Sequence, residues 1–180
     1  VGEKFALAMF KYAHIKSTTG SVKFLDDGSR KRSSIRTVEG TEFYGELKLS
    51  WDEIRELKDK ARTIIPPVGV KYSVNNEIIN RPHTYKSFTE NLPTVVSDDE
   101  GNLVRSSRNT NIELFKTDEH FIYEMGIPVV ETDIGFSINV DQKIPLNKDR
   151  DNVSPSYLKK LKTYVLNHTS SELTEEQSKS

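Results

Sequence analysis

The sequence predicts an α+β protein, and three observations carry that expectation. Between Thr41 and Leu49 the apolar residues Phe43, Leu47 and Leu49 fall on alternate positions, and the stretch runs straight into a helix signature. After Pro66-Pro67 the chain changes to segments of period-two alternation separated by turn residues. A last helix signature then opens at Ser154-Pro155. Strands gathered into one block, with helices set before and after it, are the α+β pattern.

Taken in order, Phe5 to Ala13 is apolar on most faces and holds no β-branched residue, which predicts a buried helix. Ser17 to Gly20 reads as a turn and Val22 to Leu25 as a short strand. Asp26-Asp27-Gly28 is a tight turn, followed by the one concentrated basic stretch, Arg30, Lys31, Arg32 and Arg36. Ser50 and Glu53 form a capping box, in which each side chain takes an orphan amide of the first turn. Trp51, Ile54, Leu57, Ala61 and Ile64 follow at helical spacing until the two prolines stop the helix.

In the strand block Val68, Val70, Tyr72 and Val74 alternate, Asn75-Asn76 signals a hairpin, and Ile78-Ile79 begins the return. Further strands are expected at Tyr85–Phe88, Leu92–Val96, Leu103–Ser106, Asn111–Lys116, Phe121–Glu124 and Gly135–Val140. Asp98 to Gly101 reads as a hairpin turn, because a calcium loop needs more ligands at fixed spacing. The last helix carries Tyr157, Leu158, Leu161, Tyr164 and Val165 on its inner stripe. The expected organisation is one unit over 1–65, a sheet-rich unit over 66–168 and a flexible polar tail over 169–180.

Composition narrows the function. The 180 residues include 26 Lys plus Arg and 27 Asp plus Glu, a net charge of -1 that gives no overall pull toward nucleic acid or an anionic membrane. The absence of cysteine excludes a disulfide scaffold, a thiol nucleophile, a cysteine-ligated zinc and an iron–sulfur cluster. No apolar run is long enough to span a bilayer. His14, His83, His120 and His168 are far apart and lack paired-ligand spacing, so no metal site is expected among them. No G-x-S-x-G is present either, leaving classical hydrolase chemistry unsupported.

Two segments suggest phosphate chemistry. Gly2-Glu3-Lys4 stands at the head of an apolar helix, where backbone amides and the helix dipole hold phosphate; a helix that merely begins there is the competing reading. The loop Asp141 to Asn152, between the last strand and the last helix, interleaves Lys143, Lys148 and Arg150 with carboxylates. Such a loop is either a self-neutralised surface or a means of delivering cations to phosphate.

Together these segments resemble the GHKL ATPase superfamily of gyrase-type topoisomerases, MutL mismatch-repair proteins and heat-shock chaperone ATPases. Val1 to Met9 resembles the end of its second glycine box, and Gly40-Thr41-Glu42-Phe43 resembles the later G-T-x-hydrophobic box. Val74 to Arg81 is similar to the V-N-G-x-x-h-x-R hairpin of the transducer domain, with Asn76 in place of the glycine. Gln142-Lys143 resembles an incomplete Q-T-K signature. The implied fold is the C-terminal part of a GHKL α/β sandwich followed by a β-rich transducer-like domain and its helix.

The resemblance implies ATP as cofactor, with Gly2, Glu3, Lys4, Thr41, Gln142, Lys143 and Lys148 near it and Lys143 or Arg150 as the catalytic cation. It also implies Mg2+ held by a residue upstream, a cytoplasmic setting, a possible homodimer, and a DNA or protein effector. The family's catalytic Glu and magnesium-binding Asn would precede Val1, so the chain is expected to be a cut from a longer protein and inactive as an ATPase alone. A reading of another class is a β-rich adaptor or nucleic-acid-binding module that uses the basic segment 30–36.

Overall fold

The computed structural model describes residues 9–146 and 153–177, with side chains as far as residue 170. Its architecture is α+β, with eleven strands and two helices among the described residues. The chain divides into two compact units, Val1–Leu57 and Lys58–Ser180.

In the first unit β1 (Tyr12–Ser17), β2 (Gly20–Leu25), β3 (Arg30–Ser33) and β4 (Thr41–Glu46) form one sheet in the order β3-β2-β1-β4. The Ser17 to Gly20 and Asp26 to Gly28 turns stand where the turn residues predict them. The helix expected over Phe5–Ala13 does not reach Ala13. Tyr12 and Ala13 lie in β1, opposite Leu25 and Phe24 on one side and Glu46 and Gly45 on the other. Partner strands on both sides satisfy the backbone here and override a weak helical propensity; Phe5 to Ala8 are outside the described residues. The Phe10 ring lies against Gly45, where a Cβ would come within 2.4 Å of it, so the glycine is a packing requirement. Phe10 also meets Phe43 edge-on, at 5.3 Å between centroids.

Helix α1 (Trp51–Arg62) starts at the capping box: Glu53 N donates to Ser50 Oγ at 3.3 Å and Ser50 N to Glu53 Oε2 at 2.7 Å. Its apolar stripe is not buried, and Trp51 is 80% exposed. The periodicity therefore predicted the helix but not its burial.

The second unit opens with a two-stranded hairpin, β5 (Tyr72–Val74) and β6 (Glu77–Ile79). Asn75 and Asn76 both have positive φ, 51° and 67°, which is the type I′ geometry that asparagine tolerates. Val68 and Val70 precede the strand and are exposed. The main sheet comprises β7 (Thr84–Ser97), β8 (Leu103–Phe115), β9 (Phe121–Glu124), β10 (Ile127–Glu131) and β11 (Ser137–Val140), in the order β10-β9-β11-β8-β7. β11 inserts between β9 and β8, parallel to the first and antiparallel to the second.

Four of the expected strands fuse into two, because β7 and β8 pair continuously from Thr84↔Phe115 to Ser97↔Leu103 around the Asp98 to Gly101 turn. β10 was not anticipated. Pro93 of β7 and Pro128 of β10 both sit on edge strands, where the missing N–H leaves no ladder partner unsatisfied.

One face of the sheet is covered by α2 (Pro155–Gln177), which buries Tyr157, Leu161 and Val165 against Leu92, Ile112, Leu114, Ile122, Ile138 and Val140. The helix runs past the predicted end near Asn167, since no Gly or Pro stops it before Gln177. A second cluster of Ile65, Phe115 and Tyr123, with Phe121 against it, lies apart from this core. Among the described residues no helix is long and apolar enough to cross a membrane.

Candidate functional site

The strand-to-helix connection after β11 is the best-defined candidate. From Asp141 to Ile144 its backbone is held by hydrogen bonds. Asp141 N donates to Asn111 O at 3.1 Å, and the Asp141 carboxylate accepts from Asn111 Nδ2 at 3.1 Å and Asn139 Nδ2 at 2.9 Å. Gln142 Nε2 donates to the carbonyls of Leu92 and Pro93, each at 3.1 Å. Thr94 Oγ1 donates to Lys143 O at 2.8 Å, and Ile144 N to Glu124 Oε2 at 2.7 Å. Ile144 inserts into the core, and Leu146 then pairs with Val153 just ahead of α2.

The Lys143 side chain is the exception to this anchoring. It is exposed, and its ammonium has no hydrogen-bond or ion-pair partner among the described residues. A held backbone carrying a cation with no partner among the described residues can meet an anion at little cost in chain entropy. Gln142 has the opposite character, spending its amide nitrogen on the β7 backbone.

Beneath the loop lies a polar network that the sequence did not announce. Arg81 Nη1 donates to Pro66 O at 2.7 Å, and Nη2 donates to Glu113 Oε2. Asn139 Nδ2 reaches the same Glu113 oxygen at 3.0 Å, while Asn139 Oδ1 accepts from Gly126 N at 2.8 Å. Burial alone would raise the Glu113 carboxyl, but the hydrogen bonds from Arg81 and Asn139 and the Arg81 charge outweigh it and hold the group below the ordinary carboxylate range. A cleft of about 340 Å3 is lined by Arg81, Asn111, Glu113, Asn139 and Asp141. The available signal was parity: Glu113 and Asn139 are polar residues alternating with apolar ones in strands.

Tyr157, in the first turn of α2, is buried. Its hydroxyl is pushed far above the ordinary phenol range, first by burial and then by the Glu124 carboxylate, against a smaller opposing effect of Gln142. Among the described residues neither Tyr157 Oη nor Gln142 Oε1 has a hydrogen-bond partner.

The other predicted site residues are dispersed. Thr41 opens β4 in the first unit, opposite Ser17, after a Gly40 at φ 66° whose carbonyl accepts from Thr37 Oγ1 at 2.8 Å. Gln142 and Lys143 belong to the second unit. Gly2, Glu3, Lys4, Lys148 and Arg150 lie outside the described residues. Of the basic segment, Arg30, Lys31 and Arg32 are exposed on the edge strand β3, with Lys31 directly opposite Lys23. Among the described residues no group of three or more His, Cys, Asp or Glu is placed to hold a metal ion.

These features define an α+β protein with a cation presented on residues 141–144, a hydrogen-bonded segment that follows the last strand. No family model, curated protein or solved structure matches the chain.

Proposed function

We propose that the chain is part of a GHKL-type, ATP-driven conformational switch in which Lys143 senses the terminal phosphate. The observation that carries this reading is the contrast at Lys143, whose carbonyl is tied to Thr94 while its ammonium is exposed and has no partner among the described residues. The residues fit a phosphate: Lys143 would hold it as a point charge, and the Gln142 amide, bound to β7, keeps the loop backbone in place. ATP supplies a γ-phosphate that hydrolysis removes, and a contact made in only one of two states is what a switch requires.

The test uses a protein in which the ATPase residues that this reading requires are joined ahead of Val1. ATP affinity and turnover are measured for Lys143→Ala, Lys148→Ala and Arg150→Ala. Loss of a charge-assisted phosphate contact is expected to slow turnover or weaken binding by about tenfold or more in the sensing variant. A longer protein with no affinity for ATP, or one in which all three variants behave as wild type, ends this reading.

A second reading is favoured by β3. Arg30, Lys31 and Arg32 form no ion pair among the described residues, and Lys31 faces Lys23 across the ladder, a like-charge pairing that an anion would relieve. In this reading the edge strand holds nucleic acid or an acidic partner. Gel shifts over a salt series decide it: Arg30→Ala with Arg32→Ala must weaken binding and flatten its salt dependence.

A further inference from the structure

We infer that a cleft in the second unit, lined by the β7–β8 ribbon and the start of α2, binds an oxyanion carried on a short apolar body. The cleft has a volume of about 580 Å3, within the range of small-molecule sites. Arg105 of β8 and Lys160 of α2 both line it, and no aspartate or glutamate does among the described residues. Among the described residues neither cation forms a salt bridge; Lys160 Nζ stands 5.6 Å from the centroid of the Tyr164 ring. Two like charges lining one cleft repel each other, and a bound anion reverses the sign of that interaction.

The donors around them suit an oxyanion. The Ser154 and Ser156 hydroxyls line the same cleft, 3.5 Å apart. Because α2 begins at Pro155, the amides of Ser156 and Tyr157 have no acceptor inside the helix, and the positive end of its dipole lies here. Arg105 offers a planar fork and Lys160 a point charge, the two modes by which proteins hold carboxylate and phosphate. Leu103 and Leu146 supply apolar wall, and Leu103 is 53% exposed, so a ligand's hydrocarbon part gains by covering it. Lys143 does not line this cleft, which keeps the inference separate from the nucleotide reading.

The chain as it stands is titrated with hexyl phosphate, hexanoate and hexanol while backbone amide resonances are followed. Saturable shifts at Arg105, Ser156 and Lys160 are expected with at least one of the anions and not with hexanol; the tighter anion identifies the headgroup. Arg105→Ala and Lys160→Ala should each weaken that binding about tenfold, with the melting temperature unchanged, because both side chains are at the surface. Lys143→Ala should leave it unchanged. The inference is overturned if neither anion binds, if hexanol binds as well as they do, if the two alanine variants retain full affinity, or if Lys143→Ala weakens binding as much as they do.

Discussion

Arg81 and Glu113 are joined in an ion pair that is largely withdrawn from solvent, with side chains only 21% and 12% exposed. The same guanidinium holds the carbonyl of Pro66, so one side chain ties the segment after α1 to the C-terminal end of β8. Replacing Arg81 by Ala leaves Glu113 as a buried charge without its counter-ion and the Pro66 carbonyl without its donor. The expected loss of stability is about 3 kcal/mol. Urea unfolding of Arg81→Ala, compared with Arg81→Met combined with Glu113→Gln, checks this. The double variant should lose less than the single, since the stranded charge accounts for most of the cost.

The dependence on pH follows from the same carboxylate. Glu113 is held below its ordinary value of 4.5 in the folded state, so folding favours its ionised form. Its contribution is complete above the unfolded value and declines as pH falls from there through the lower folded value. Stability measured from pH 6 down to pH 3 should therefore drop more steeply for wild type than for Glu113→Gln, which cannot titrate. Parallel curves would show that Glu113 is not the group involved.

The turn joining β9 to β10 makes opposite predictions for neighbouring residues. Met125 has φ 49° and Gly126 φ 84°, the type I′ geometry with an unsuited residue at its first position. Met125→Asn should stabilise the protein by about 0.5 kcal/mol, because asparagine adopts that conformation at lower cost and Met125 is 54% exposed. Gly126→Ala should destabilise it by more than about 1 kcal/mol. A Cβ at Gly126 would stand 2.3 Å from the backbone oxygen of Ile65, and Ile65 N donates to Gly126 O at 2.9 Å, so the clash falls on a structural contact. Thermal unfolding of the two variants reads the two signs directly.

Local signals were legible in the sequence and distant pairings were not. The Ser50–Glu53 capping box and the Asn75-Asn76 turn are contained within a few residues, and each forms as its chemistry dictates. β7 and β8 read as four short strands because Thr89 to Asn91 and Ser107 to Asn109 interrupt the apolar pattern, whereas cross-strand hydrogen bonds hold the register through them. β10 was hidden by Pro128, which only an edge position tolerates, and strand order is a long-range property. The same divide runs through the site. The loop after β11 could be singled out from its place between strand and helix, and Gln142 and Lys143 within it only through the resemblance, but their anchors on Leu92, Pro93 and Thr94 come from a strand far away in sequence. Arg81 and Glu113 are brought together only by the fold.

Those anchors yield the last prediction. Thr94 is 3% exposed and its hydroxyl donates to the carbonyl of Lys143, so Thr94→Val keeps the shape of the residue while removing the loop's tie to β7. The global loss should be modest, about 1 kcal/mol, the typical net worth of one hydrogen bond. Locally the effect should be larger, because the freed carbonyl no longer fixes the residue that carries the cation. Amide exchange at Lys143 and Ile144 should accelerate more than exchange in β11. On the proposed switch reading, ATP turnover by a protein that carries the ATPase residues that reading requires should fall in Thr94→Val, though by less than in Lys143→Ala, since the charge remains and only its positioning is lost. Equal exchange across loop and strand would show that Thr94 acts on the fold as a whole. Turnover unchanged in Thr94→Val but reduced in Lys143→Ala would show that the ammonium works without this anchor.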